Sequence, residues 1–261
     1  MTAARDRLAI AELTTMLAGD FDLPTVLETI AHEARTGFDA SSAAVVLRDD
    51  THRTGEAGIQ VVAEALPRTT DADLRLLTAG PVLESARDGA VTMIADLADT
   101  EDTRWPGYRR DALRAGMRAM RAFPVTVLGL PVGALVVHTG EPWGVQRPGE
   151  LGQILANLAA IAISIAPHSH QRRSDTGDTV ESLLQGTVLI ATATGIIAQL
   201  NDTDPSHARL QLHRLARAYQ VTVSDHAERI VTACNNDPER FAPSALLAAP
   251  TVLPLPPHID T

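Results

Sequence analysis

Apolar residues recur at helical spacing from the start of the chain. Leu8, Ile10, Leu13, Met16 and Leu17 open a run that predicts helix from Arg5 to about Gly37. Phe21-Asp-Leu-Pro24 interrupts it: Asp22 is a plausible cap with Pro24 in the first turn, and Val26, Leu27, Ile30 and Ala34 continue the apolar face. Two β-branched runs, Ala40 to Leu47 and Gly58 to Leu66, then predict a hairpin with residues 51–57 as its loop. Asp71 to Asp88 reads as a helix closing at Gly89, Val91 to Ile94 as a brief extended piece, and Asp96 to Asp102 as an acidic loop. A short helix from Arg109 to Ala115 stops at Gly116. Two further apolar runs, Ala119 to Leu128 and Gly133 to Thr139, flank Gly129-Leu-Pro-Val. The first contains Phe123-Pro124, which places that strand at an edge or beside a bulge, because proline has no N–H for a ladder. A last helix is expected from Gly149 to Ile165.

Helix, two strands, a helical middle, two strands and a closing helix predict an α+β fold with a mainly antiparallel sheet flanked by helices. This order resembles the GAF domain, a sensory fold. Pro24-Thr-Val-Leu-Glu-Thr-Ile, Ser41-Ser-Ala-Ala-Val-Val-Leu, Asp96 through Trp105 with Tyr108, Gly116-Met-Arg-Ala-Met-Arg-Ala-Phe-Pro-Val and Leu130-Pro-Val-Gly-Ala-Leu-Val-Val-His carry the resemblance in order. It implies a sensor of a small molecule or a partner over residues 1–166.

Residues 167–178 hold no apolar anchor beyond Pro167 and are expected to be a linker. Beyond it the pattern is purely helical. Val180, Leu183, Leu184, Val188, Leu189, Ala191, Ile196 and Ile197 predict one long apolar helix, and Asn201-Asp-Thr-Asp-Pro a turn. Asp204 or Ser206 would cap a second helix with Ala208, Leu212, Leu215 and Tyr219 on one face; Ser224 to Val231 opens a third. Residues 234–261, rich in Pro and Ala without amphipathic period, are expected to be a loose tail. Residues 179–233 resemble an ANTAR domain, a three-helix module of transcription antiterminators. Ala193-Thr-Gly195, Pro205-Ser-His-Ala208, Leu212-His-Arg-Leu-Ala216 and Ala227-Glu-Arg-Ile-Val231 carry that likeness. It implies binding of two-loop RNA hairpins. The chain departs from the family at Thr194 and Thr222, where basic residues are usual, and at Gln220, where asparagine is usual.

Charge narrows the partners. The net charge is −10, so any RNA contact must come from a local patch. All 22 basic residues are arginine, which excludes a P-loop lysine and Schiff-base chemistry. The single Cys234 cannot form an internal disulfide, the first residues lack the pattern of a signal peptide, and no apolar stretch is long enough to span a bilayer, so a cytoplasmic protein is expected.

No catalytic constellation is visible, and neither an enzymatic activity, a cofactor nor a metal site is expected; His168-Ser-His170 has no third ligand nearby in sequence. Arg209, His213, Arg214 and Arg217 recur every three to four residues and, with Gly195, are the RNA candidates. Met93, Trp105, Tyr108, Met117 and Met120 are candidates to line a small-molecule pocket, with core packing as the alternative; His138 is expected to be a satisfied core or edge histidine. The extent of apolar helix surface favours a homodimer. The expected function is a signal-responsive regulator whose sensor controls an RNA-binding antitermination module. The alternative is a ligand-sensing or dimerisation module without RNA binding.

Overall fold

Asp22 does break the opening helical run. Its carboxylate accepts from the Thr25 amide at 3.1 Å and the Thr25 hydroxyl at 2.6 Å, capping α2 (Leu23–Gly37) and separating it from α1 (Thr2–Ala18). The computed structural model describes residues 2–49, 58–66, 74–144, 149–166, 176–219, 221–236 and 245–247. The residues expected to form the first hairpin loop lie outside them, as do His168 and His170.

Five strands follow in an antiparallel sheet: β1 (Ser42–Asp49), β2 (Gly58–Ala65), β3 (Thr92–Ile94), β4 (Ala119–Val127) and β5 (Leu130–Thr139). Their spatial order is β2-β1-β5-β4-β3. The expected antiparallel sheet with flanking helices is therefore present. Pro124 is tolerated because β3 pairs only with Met120 to Ala122, so among the described residues β4 has no outer strand partner at Pro124, and the register shifts just beyond it between Val125 and Thr126.

Between the strands lie α3 (Leu74–Thr78), α4 (Pro81–Asp88) and α5 (Pro106–Arg114). The single helix expected up to Asp88 is split, because Pro81 cannot continue α3 and Gly80 turns the chain at φ 58°. Gly89 ends α4 in the left-handed conformation, as its position in the pattern implied. The residues expected to connect the last two strands are mostly strand as well: the turn is only Leu128-Gly129, and β5 starts at Leu130.

Alternation along the strands sorts two cores. Ala43, Val45, Leu47, Phe123, Val125, Leu135 and Val137 face α1, α2 and α6 (Glu150–Ile165). There Phe38 stacks on Phe123 at 5.9 Å, and the Arg121 guanidinium lies 5.2 Å from the Phe123 ring and 5.7 Å from Trp143. Gly152 lets α6 approach this cluster, since a Cβ there would meet the Phe123 ring at 2.2 Å. Residues of the other phase face α3, α4 and α5.

The chain divides into a unit of residues 1–184 and one of residues 185–261. The second contains most of α7 (Thr176–Asn201), with α8 (Pro205–Ala218) and α9 (Val223–Asn236). Helix α7 thus begins inside the stretch expected as linker. Asp204 caps α8 by accepting from the Ser206 and His207 amides at 2.9 and 3.2 Å. Ile190, Ala193, Ile197, Ala208, Leu212, Ala216, Val223, Ala227 and Ile230 form its core. Within the stretch expected as a loose tail, α9 continues to Asn236, and Ala245–Leu247 form a 3-10 turn whose leucines pack on that core. The rest of the tail lies outside the described residues.

Candidate functional site

The second face of the sheet is the candidate site. Ala44, Ala122 and Ala134 leave its centre shallow, and Val46, Val136, Met120 and Ile94 surround them. Leu76 and Leu77 of α3, Val82 and Ala86 of α4, Tyr108 and Ala112 of α5, and Leu97 cover it, with Trp105 and Met117 packed at its margin. Of the five pocket candidates, Trp105, Tyr108, Met117 and Met120 converge here. Met93 does not. It pairs with Arg121 across β3 and β4, on the opposite phase from Ile94 and Met120, and is 39% exposed. Alternation along β3 turns it to the other side of the sheet.

A polar chain crosses this apolar face. Register places Ser42 of β1 beside His138 of β5, with the Ser42 hydroxyl 3.0 Å from His138 Nδ1. From α5, Tyr108 brings its hydroxyl to 2.7 Å from His138 Nε2. All three residues are buried. Burial holds the Tyr108 pKa above its ordinary value and lowers that of His138 to about 4. Both groups are then neutral at pH 7. The arrangement that satisfies the phenol has the Tyr108 O–H donating to Nε2, and the Nδ1–H donating to Ser42 Oγ. His138 is thus the satisfied histidine its context suggested, but its partners come from elsewhere in the chain. The Ser–His pair lacks a carboxylate on the second ring nitrogen, the group that stabilises an imidazolium in hydrolytic triads. A phenol occupies that place, so both ring nitrogens meet neutral hydroxyl groups.

The acidic loop beside the site is clasped by arginines. Buried Arg109 donates through Nη2 to the carbonyl oxygens of Asp96, at 3.1 Å, and Asp99, while its Nη1 lies 3.3 Å from Asp102 Oδ2. Arg118 holds the Asp96 carboxylate with both prongs, at 3.2 and 2.9 Å, and lowers its pKa. The Asp96, Asp99 and Asp102 carboxylates each accept from an amide two residues on, which fixes the turns. Arg104 pairs with Asp102 and lies 4.9 Å over the Trp105 ring. Neither Arg109 nor Ser42 stood out in the sequence, since one arginine among many and one strand-end serine carry no local signal. Among the described residues, no cluster of His, Cys, Asp or Glu is placed to hold a metal ion.

In the second unit, Arg209, His213, Arg214 and Arg217 all lie on α8. Arg214 and Arg217 are exposed and Arg209 and His213 half-buried. Gly195 is exposed on α7, with open space around its Cα. Leu210 stands in the same exposed surface of α8 and is 56% exposed. Among the described residues no helix is long and apolar enough to cross a membrane.

A five-stranded antiparallel sheet in this order, with helices covering both of its faces, defines the class as an α+β domain. The family model of the GAF domain matches residues 22–164, more than half of the chain, and the protein belongs to that family. Among solved structures, the phycocyanobilin-bound GAF domain from a cyanobacterial phytochrome is similar, with a TM-score of 0.50 and 18% identity, over 64% of this chain and 98% of that one. The chromophore-binding domain of the bacteriophytochrome RpBphP3 from R. palustris gives a TM-score of 0.49 at 16% identity. That likeness covers 64% of this chain, which spans only 62% of that structure. At 18% identity the likeness to the phycocyanobilin-bound domain is one of fold. Among curated proteins, none matches the chain.

Proposed function

We propose that the protein is a cytoplasmic, non-enzymatic signal-responsive regulator. Its GAF unit senses a small molecule or partner on the Tyr108–His138 face, and that event controls an ANTAR-type helical unit that binds two-loop RNA hairpins in transcription antitermination. One observation carries the second half of this reading. Of the apolar positions of the ANTAR likeness, Ala193, Leu212, Leu215, Ala227 and Ile230 are buried and Val231 is half-buried against the same core, while Arg214 and Arg217 are exposed on α8. A sequence likeness whose apolar positions are core and whose cationic ones face water is what a retained module requires.

The test is a gel shift of the full chain with two-loop hairpin RNAs across a salt series. Binding that weakens with salt is expected, with the slope reduced by about one for each of Arg214→Ala and Arg217→Ala. No binding of the wild type at low salt would remove the RNA half of the reading. A second reading, a module that docks a partner without RNA, draws support from Thr194 and Leu210. Thr194 is buried with its hydroxyl 2.7 Å from the Ile190 carbonyl, so the usual lysine is replaced by a neutral, internally bonded side chain. Leu210 interrupts the cationic surface with an exposed apolar group. That reading expects loss of partner capture, and no change in RNA, on Leu210→Glu.

A further inference from the structure

We propose that Arg121, with Met93 and Trp143 beside it, forms a second ligand site that takes the carboxylate of a small, partly apolar molecule. The site lies on the sheet face opposite Tyr108 and His138, so it stands whether or not that face binds a ligand.

Alternation along β4 puts Arg121 on the side of Phe123, away from Met120 and Ala122. Helix α6 makes room for both. A Cβ on Gly149 would meet Cζ, Nη1 and Nη2 of Arg121 at 2.6 Å each, as one on Gly152 would meet the Phe123 ring. Three equal distances mean that the guanidinium turns its plane, not an edge, to the helix. The Phe123 and Trp143 rings lie 5.2 and 5.7 Å from it and hold it in place. Arg104, Arg109, Arg110, Arg114 and Arg118 each stand 2.9–3.5 Å from an aspartate. Arg121 differs. Its Nε is buried without a partner, and among the described residues no carboxylate pairs with its terminal nitrogens, which reach solvent. Glu150, next to Gly149, is exposed and forms no ion pair with it. Burial lowers the Arg121 pKa with nothing to offset it. A fixed cation left unpaired calls for an anion.

The geometry selects the kind of anion. With one face against the helix, the guanidinium offers its two Nη atoms as an in-plane fork, which a planar carboxylate matches with both oxygens. Register supplies the rest of the site. Met93 of β3 pairs directly with Arg121, so both stand on one side of the sheet, and Met93 is 39% exposed. Trp143 is half-buried and held beside β3 by its amide, which donates to the Ala95 carbonyl at 2.8 Å. A thioether and an indole edge suit an apolar body attached to the carboxylate.

The probe is hexanoate, with hexanamide as its neutral counterpart, titrated into the full chain at constant ionic strength. Trp143 fluorescence reports occupancy in Trp105→Phe, where it is the only tryptophan; the melting temperature of the wild type is the independent readout. Hexanoate is expected to saturate both signals and hexanamide neither. Arg121→Lys should weaken binding about tenfold, because an ammonium lacks the fork, and Arg121→Met should abolish it. Met93→Glu changes an exposed position and sets a carboxylate opposite the guanidinium. It should abolish hexanoate binding and raise the denaturant midpoint, and it decides alone if Arg121→Met does not fold. No saturable response in the wild type would overturn the site. So would a response that survives Arg121→Met or Met93→Glu, which would move the ligand elsewhere. Inorganic phosphate or acetate binding as tightly as hexanoate would overturn the ligand class, since Met93 and Trp143 would then contribute nothing.

Discussion

The Tyr108 hydroxyl lies 2.7 Å from Nε2 of His138, joining α5 to β5 through the interior of the candidate site. Its strength depends on direction rather than on area, as does that of the Ser85 hydroxyl of α4, which donates to the Ala122 carbonyl of β4 at 3.4 Å. Tyr108→Phe removes the hydroxyl and leaves a buried ring nitrogen with nothing opposite it, at a cost of about 1–3 kcal/mol. The expected result is a lower denaturant midpoint with an unchanged slope, since the compactness of the fold is not altered. A variant as stable as the wild type would show that the phenol is not held there.

Stability should fall with acid through His138. Its pKa is lowered by burial from the ordinary 6.5 to about 4, so between these values the unfolded chain binds a proton that the folded chain refuses. Stability from this group is complete above pH 6.5 and drains away as the pH drops toward 4, by a few kcal/mol at most. Thermal unfolding from pH 7.5 to 4.5 measures it. His138→Gln, which can still accept from Tyr108, should flatten the curve, and an equally steep curve in that variant would assign the loss to other groups.

The sequence made this region only partly legible, and particular residues show why. Asp22-Leu-Pro24 and Gly89 punctuate locally, and the structure obeys them. Gly80-Pro81 carried the same kind of signal, but the apolar period running across it masked the break. Met93, a pocket candidate by residue type, lies between buried Thr92 and Ile94, and that phase turns it away from the site. The Ser42–His138–Tyr108 chain could not be read at all. It depends on a strand register between residues 96 positions apart and on an α5 placement that no local pattern specifies. In the helical unit, α7 is apolar on every side, so sequence could not say that Val188 faces water while Ile190 is core.

The β4–β5 turn is strained by its sequence. Leu128 and Gly129 are its two central residues, at φ 52° and 83°, and Leu128 is 96% exposed. Positive φ at both positions is the backbone of a tight hairpin that asparagine-glycine favours, and a bulky side chain at the first position costs about 1 kcal/mol. Leu128→Asn should therefore raise the denaturant midpoint by the equivalent of about 0.5–1 kcal/mol. A destabilised variant would mean that Leu128 makes a contact worth more than its strain.

Gly152 is expected to behave in the opposite sense from an ordinary helix glycine. Alanine in a helix interior normally gains about 1 kcal/mol. Here the added Cβ would fall 2.2–2.6 Å from the ring of fully buried Phe123, and overpacking costs about 1–3 kcal/mol. Gly152→Ala should lower the melting temperature. Combining it with Phe123→Leu should give a smaller loss than the sum of the two single changes, as contacting sites do; strict additivity would show that the ring and the helix do not meet.

The acidic loop makes the last test, because one side chain organises it from within. Arg109 is buried and serves two carbonyl oxygens and one carboxylate, of Asp96, Asp99 and Asp102. Arg109→Met keeps the length and the apolar stem but removes every donor, leaving two carbonyls to find water and Asp102 with Arg104 alone. A loss of about 2 kcal/mol or more is expected. The effect should begin locally, since Arg118 still holds Asp96 and the sheet beneath is untouched. Hydrogen exchange should speed up over residues 96–105 before it changes in β4 or β5. Arg109→Lys should fall between the two, because a single ammonium keeps the charge but lacks the fork that spans separate acceptors. Uniform acceleration across the GAF unit would instead make Arg109 a general core residue, with no special hold on the loop at the edge of the site.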